Sequence, residues 1–450
     1  MNIQFLKRFV EKSIVFVFLA WAAFAFGCAS PAPATNANIS QNTAPMNSAP
    51  INAPAQPSPT KEAQAKMPVT LPVLDAMFAD ENFAGELKSK VQLTDEQIER
   101  LKTLSREAVS NLNENETGDG GSTREATTRA DKQIREIVGN EKASALFEFV
   151  GQRWSEQDEQ SASQPNQIPT DTRIVVNAPA YRMDVFQDGK LVKSYKIGIG
   201  YPEFPLPSGL RKAKTIIFNP TWTPPDEPWV KGKVQPYKKI EAGDKLNPLG
   251  PIKIPIGSPS LIHGGKQPAK LGGFASHGCV GLTNQQVQDF AVELGKLSGL
   301  PLTLEDVKNY EKQKTETKSV PLKTEVPVEL RYETIVVENG KLKIFRDVYE
   351  KGTNTEENLR RVLQVYGVSL DSIPAADRDK ILQGLNQMAI DATGNPVEVS
   401  NADSNGNTNE TNVAKSKNGS VTRNIKGVKE VSFDVAALQG KGYPAPVGVK

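Results

Sequence analysis

The sequence predicts a multidomain α+β protein: a β-rich domain with long loops, preceded by a small helical domain and followed by an α/β extension. Three observations carry that expectation. Apolar residues recur at helical spacing from about Leu71 to Trp154. From Arg173 the rhythm shortens to β-type runs punctuated by Gly and Pro. Beyond position 306, strand-like and helical stretches alternate. The 450 residues are enough for two to four domains of ~100–200 residues. With 54 basic and 52 acidic side chains the net charge is only +2, without the basic excess of a nucleic-acid binder. Two Cys exclude a disulfide-dense scaffold, and two His argue against a multi-site histidine metalloprotein.

Residues 1–28 have the form of a secretory signal peptide. Lys7 and Arg8 precede an apolar run from Ile14 to Phe26 that stops at Gly27-Cys28. Ala25-Phe26-Gly27-Cys28 resembles the lipobox of bacterial lipoproteins, which implies lipidation of Cys28 and a membrane contact through an N-terminal lipid. Phe26 is bulkier than that pattern prefers, so plain secretion and an uncleaved anchor stay as alternatives. Each of the three places the chain outside the cytoplasm, in the periplasm or cell envelope. Residues 29–68, with 10 Ala and 8 Pro, cannot bury a core and read as a disordered tether.

The helical domain spans 69–160. Thr94 with Gln97 forms a capping-box pattern ahead of Ile98, Leu101, Leu104, Ala108 and Leu112. Gly118 to Gly121 interrupts the pattern, and a second helical stretch runs from about Arg124 to Val150. A polar linker, 161–172, follows. The β-rich domain, 173–305, opens with short strands around Ile174, Met183 and Leu191; Gln187-Asp188-Gly189 is a hairpin turn signal. It carries 17 basic and 10 acidic residues between Asp171 and Leu300, against 11 basic and 18 acidic between Asp80 and Gln160. A docked helical domain or an anionic substrate would each account for that contrast. The extension, 306–390, starts with a Lys- and Glu-rich linker and continues with strands around Asn339-Gly340 and two helices. Residues 391–425 read as disordered, and the tail, 426–450, as able to pack a strand.

Both His residues and the one Cys beyond the signal region fall close together: His263, His277 and Cys279. A thiol needs help to become a thiolate near neutral pH, and an adjacent imidazole or a helix N-terminus supplies it. Thr283 with Gln286 signals a helix starting just after Cys279. Gly278 permits close backbone approach, and amides there can face a developing oxyanion. Spacing alone leaves either His as the base. A buried structural Cys is the plainer reading. A metal site suffers because three ligands stand without an Asp or Glu between positions 263 and 279.

His263-Gly264, the Gly-rich spacer and Ser276-His277-Gly278-Cys279-Val280 resemble the signature of the bacterial L,D-transpeptidases with a YkuD-type catalytic domain. Ile197-Gly198-Ile199-Gly200, Asn219-Pro220-Thr221-Trp222-Thr223-Pro224-Pro225 and Asn247-Pro248-Leu249-Gly250 resemble the family's flanking segments, in order, as in its periplasmic branch. The resemblance implies that Cys279 attacks the carbonyl between the third and fourth residues of a peptidoglycan stem peptide, releasing D-Ala. It implies His263 as base and then acid, oriented by the carbonyl of Gly264, with His277 shaping the site and the amides of Gly278 and Cys279 facing the oxyanion. Ser276 and Trp222 would then border the substrate, although a core role for Trp222 is equally open. The acyl group would pass to an amine on another stem or on an envelope protein, with no cofactor or metal. A hydrolase using the same acyl-enzyme and an inactive wall-binding protein are the alternatives. Gly281 departs from the family pattern, which carries Arg or Asn two residues after the Cys; a side chain there would reach the stem's carboxylates, so its loss bears on substrate anchoring.

Overall fold

The computed structural model describes residues 68–110, 122–155, 164–224, 234–235, 238–397 and 423–449. The expected signal peptide with Cys28, nearly all of the tether, and positions 398–422 of the expected disordered stretch lie outside the described residues.

The helical domain is built from α1 (Leu71–Phe78), α2 (Phe83–Lys90), α3 (Asp95–Ser110), α4 (Thr123–Val138) and α5 (Asn140–Ser155). Their apolar stripes converge on one core that includes Leu74, Met77, Phe83, Leu101, Ile134 and Leu146. The Thr94–Gln97 capping box forms in both directions, at 3.2 and 3.1 Å. The second helical stretch differs from expectation: it breaks at Gly139, whose φ of +82° ends α4 before α5 begins.

The β-rich region supplies β1 (Arg173–Asn177), β2 (Arg182–Gln187), β3 (Lys190–Lys196), β4 (Gly198–Gly200), β5 (Gly209–Phe218), β6 (Ile252–Pro255), β7 (Leu261–His263), β8 (Gly273–Ser276) and β9 (Val280–Gly281). Next come α6 (Asn284–Leu297), α7 (Leu304–Lys312) and a long strand, β10 (Lys318–Arg331). Together the strands make a ten-stranded curled sheet in the order β3-β2-β1-β10-β5-β6-β7-β9-β4-β8. The sheet therefore runs past the expected boundary at 305. The Lys- and Glu-rich run read as a linker is largely α7, held by a Thr303–Asp306 capping box, and β10 then enters the middle of the sheet. β10 lies parallel to β1 and antiparallel to β5. Its second half, from Val326, reads as a strand in the sequence; the first half holds no buried residue and was not legible as one. Residues of α6 such as Val287, Phe290 and Leu294 close the core against Ile216, Ile254 and Ile262.

A second sheet joins β11 (Ile335–Glu338), β12 (Lys341–Phe345) and β13 (Glu430–Asp434), backed by α8 (Glu356–Val365) and α9 (Ala375–Met388). Asn339 and Gly340, both at positive φ, turn β11 into β12, and the tail supplies β13 as the pattern suggested. Two expectations of disorder or linker need correction. Residues 391–397 form an ordered turn in which the Asp391 carboxylate accepts the amides of Thr393 and Asn395, each at 2.8 Å. Within the linker, Asn166 is buried: its side chain accepts the Val337 amide at 2.6 Å and donates to the Ile335 carbonyl at 3.0 Å, tying it to β11.

Two hydroxyls of the helical domain reach one loop of the β-rich domain, and α5 also lies near β5. Thr70 Oγ1 donates to the Glu203 carbonyl at 2.6 Å, and Thr123 Oγ1 donates to the Pro202 carbonyl at 2.9 Å. Arg124 of α4 also pairs with Glu350 at 3.5 Å.

Candidate active site

Three neighbouring strands inside the large sheet, β6, β7 and β9, bring the chemistry together. β7 and β9 run parallel, with His263 opposite Gly281, and β6 places Lys253 opposite His263 on the other side. Residues directly opposed across strands share a face. Lys253, His263 and Gly281 thus form one row, and Cys279 sits two residues before Gly281, diagonal to His263. The row is held by the Leu282 amide donating to the His263 carbonyl at 2.8 Å.

His263 is buried, and its Nδ1 lies 2.7 Å from the Gly264 carbonyl. A carbonyl only accepts, so Nδ1 carries the proton in the neutral ring and Nε2 the lone pair. Burial pulls the imidazole down to about 3, and the charges of Lys266 and Lys253 add to that. Backbone bonds to Gly264 and Leu249 oppose them, favouring the protonated ring. The expected segment Asn247-Pro248-Leu249-Gly250 therefore serves the His directly. The Gly264–Gly265 turn is pinned to the start of α6, where Asn284 Oδ1 accepts the Gly265 amide at 2.7 Å. That helix starts where the Thr283–Gln286 pattern placed it, with a complete capping box.

Cys279 is a free, half-buried cysteine in the turn between β8 and β9. Gly278 reaches that turn with φ +84°, which only glycine adopts without strain. Ser276 bonds to the backbone of Cys279. It is buried, its Oγ donates to the Cys279 carbonyl at 2.5 Å, and it accepts the Cys279 amide at 3.1 Å. It therefore shapes the turn, and it occupies one of the two amides expected to face an oxyanion. Burial pushes the Cys279 thiol up; a backbone bond to Leu261 and the charges of Lys266 and Lys253 pull it back part of the way. Both shifts favour a thiol and a neutral imidazole over an ion pair at rest.

The His277 ring sits in an aromatic corner: edge-on to Phe204 at 4.7 Å and to Tyr201 at 5.3 Å. Phe204 belongs to the very loop that Thr70 and Thr123 hold. A two-way backbone bridge ties Trp222 to Ile240. At Gly281 the Lys266 stem takes the space of a side chain: a methyl added there would meet Lys266 Cγ at 2.8 Å, so the lysine would have to shift. Among the described residues no group of three or more His, Cys, Asp or Glu gathers as a metal site would require. Sequence reasoning overlooked Lys253 and Lys266. Lys266 follows Gly265 directly, and its position inside the His–Cys interval was the available signal.

These features define a mixed α+β domain whose large sheet carries a cysteine and a histidine flanked by lysines. Residues 171–304 match the family model described as the L,D-transpeptidase catalytic domain, YkuD. The chain is similar to the putative L,D-transpeptidase YqjB of Bacillus subtilis (strain 168), with 24% identity over 170 residues, 36% of this chain and 89% of that protein. Among solved structures it resembles the catalytic domain of the E. faecium L,D-transpeptidase (16% identity, TM-score 0.23, 37% of this chain and 100% of that one). It also resembles an L,D-transpeptidase from Mycobacterium smegmatis (16% identity, TM-score 0.22, 36% and 58%). The chain spans 49% of the length of the avibactam-carbamoylated enzyme Ldtfm, which it matches at 18% identity and TM-score 0.23 over 36% of its own residues.

Proposed function

We propose that the protein is an L,D-transpeptidase of peptidoglycan with Cys279 as nucleophile. The observation that carries this reading is the placement of Cys279 diagonal to a buried His263 whose tautomer is set by Gly264. The substrate is a tetrapeptide stem. Cys279 Sγ attacks the carbonyl of the third residue while His263 Nε2 takes the thiol proton. Because thiol and imidazole are both neutral at rest, attack and proton transfer proceed together. The C–N bond to D-Ala then breaks, His263 returns its proton to the departing amine, and a thioester remains. An amine of a second stem, or of an envelope protein, displaces the thiol and restores the enzyme. The Cys279 amide is engaged by Ser276, so we assign oxyanion stabilisation to the Gly278 amide.

Incubation of the protein with tetrapeptide stems should give cross-links between two third residues, with release of D-Ala, read by mass spectrometry of the products. Tripeptides alone would turn the reading to a hydrolase, and unchanged stems to a wall-binding protein. Cys279→Ala should abolish turnover; activity that survives it removes Cys279 from the mechanism.

We also place the protein in the cell envelope, lipid-anchored through Cys28, on the strength of the signal-like N-terminal sequence. Labelled palmitate should enter the wild-type protein in a bacterial host and fail to enter Cys28→Ser. Equal labelling of both would refute the anchor.

A further inference from the structure

Two cations stand over the cysteine–histidine pair, and they come from different places in the chain. Lys253 arrives on β6, directly opposite His263. Lys266 arrives from the turn after β7 and lays its stem across Gly281: a methyl at that glycine would meet Lys266 Cγ at 2.8 Å, Cε at 3.1 Å and Cδ at 3.4 Å. The stem is thus carried over the strand that begins one residue after the nucleophile, and the Lys266 charge acts on both Cys279 and His263. Burial lowers the Lys253 ammonium from its usual range.

Such an arrangement selects for a negative charge close to the attacked carbonyl. In the proposed donor, the α-carboxylate of the departing residue is separated from that carbonyl carbon only by N and Cα. Standard bond lengths then hold the two carbons within roughly 4 Å of each other. A cation that acts on the sulfur acts on this carboxylate too, however the rest of the stem lies.

We infer that Lys266, from the turn after β7, anchors the terminal α-carboxylate of the donor's departing residue. The inference rests on the transpeptidase reading for the identity of the donor. It makes Lys266 a specificity residue: a donor with a free carboxylate on its fourth residue fits, and one in which that carboxylate is blocked as an amide does not.

The test separates binding from turnover. Full-length protein carrying Cys279→Ala is titrated with the tetrapeptide ending in a free carboxylate and with its C-terminal carboxamide. The free acid should bind at least ~10-fold more tightly, since a charge-assisted bond of ~1.5–3 kcal/mol is lost in the amide. Adding Lys266→Met should bring the two affinities within about twofold, and Lys266→Arg should keep a preference for the acid, with all variants melting at the same temperature. Equal affinities without any change at Lys266, a preference that survives Lys266→Met, or no binding of either peptide would overturn the assignment. Turnover by the Cys279 protein is read separately. An acid preference without turnover sinks the transpeptidase reading and leaves the role of Lys266 standing; turnover without the preference does the reverse.

Discussion

Burial decides the resting chemistry of the site. Water stabilises a thiolate and an imidazolium, and both Cys279 and His263 have lost much of that stabilisation. Two lysines favour the thiolate and disfavour the imidazolium, so they act in opposite directions on the two partners. For Cys279 burial outweighs them, leaving the thiol above its usual range. Alkylation of Cys279 by iodoacetamide should therefore climb with pH through 9, because only the thiolate reacts. The Cys279 peptide, quantified by mass spectrometry across pH 5–10, would show it; a rate already flat below pH 7 would mean a preformed thiolate. His263, His277 and Cys279 were legible as one group from their closeness in a chain with few such residues. What the sequence did not reveal was their electrostatic state, which depends on their burial. Nor did it show that Ser276 holds the turn, because a hydroxyl three residues from a nucleophile looks the same whether it faces substrate or backbone.

Among the elements, those whose signals are local were the legible ones. Capping boxes at Thr94 and Thr283 mark α3 and α6, and the Asp188-Gly189 and Asn339-Gly340 turns fix two hairpins, each residue at positive φ. Elements whose identity depends on distant partners were missed. Asn166 reads as linker until β11 arrives to receive its side chain. Residues 391–397 lack apolar rhythm, yet one carboxylate gathers their amides. The placement of α6 also matters for the site. Its first residue, Asn284, braces the turn after His263, so the cap that starts the helix helps set the position of the histidine.

On the scale of the molecule, the helical domain, the β-rich domain and the extension meet around the loop at 202–204 and the Arg124–Glu350 pair. Glu350 is a sensitive point in that junction. Burial, with Asp391 nearby, pushes its carboxyl up to about 7, while Arg124 and Ser122 draw it down. The folded state then binds a proton that the unfolded chain releases above ~4.5, so stability falls as pH rises from about 4.5 to 7. The effect is on the order of 3 kcal/mol. Glu350→Gln keeps the neutral shape and should flatten that decline. Denaturant unfolding of both proteins at pH 5 and pH 8 measures it, and equal pH sensitivities would show that Glu350 titrates normally. The opposite charges of the two N-terminal domains were visible in the sequence. Their meaning was not, because the docking contacts run through threonine hydroxyls and one ion pair of reversed sign.

The position of β10 sets a timetable for the molecule. Until residues 318–331 exist, β1 to β3 have no strand joining them to β5, because the only neighbour between the two groups is β10. During synthesis from the N-terminus, the cysteine turn and its histidine are thus finished while their sheet is still two separate ribbons. Each ribbon exposes an unpaired border to any other extended chain, and sequence-distant pairing of this kind forms slowly. The youngest strand is the keystone of the oldest half of the sheet, so any cut between α7 and β10 divides the platform that carries the chemistry.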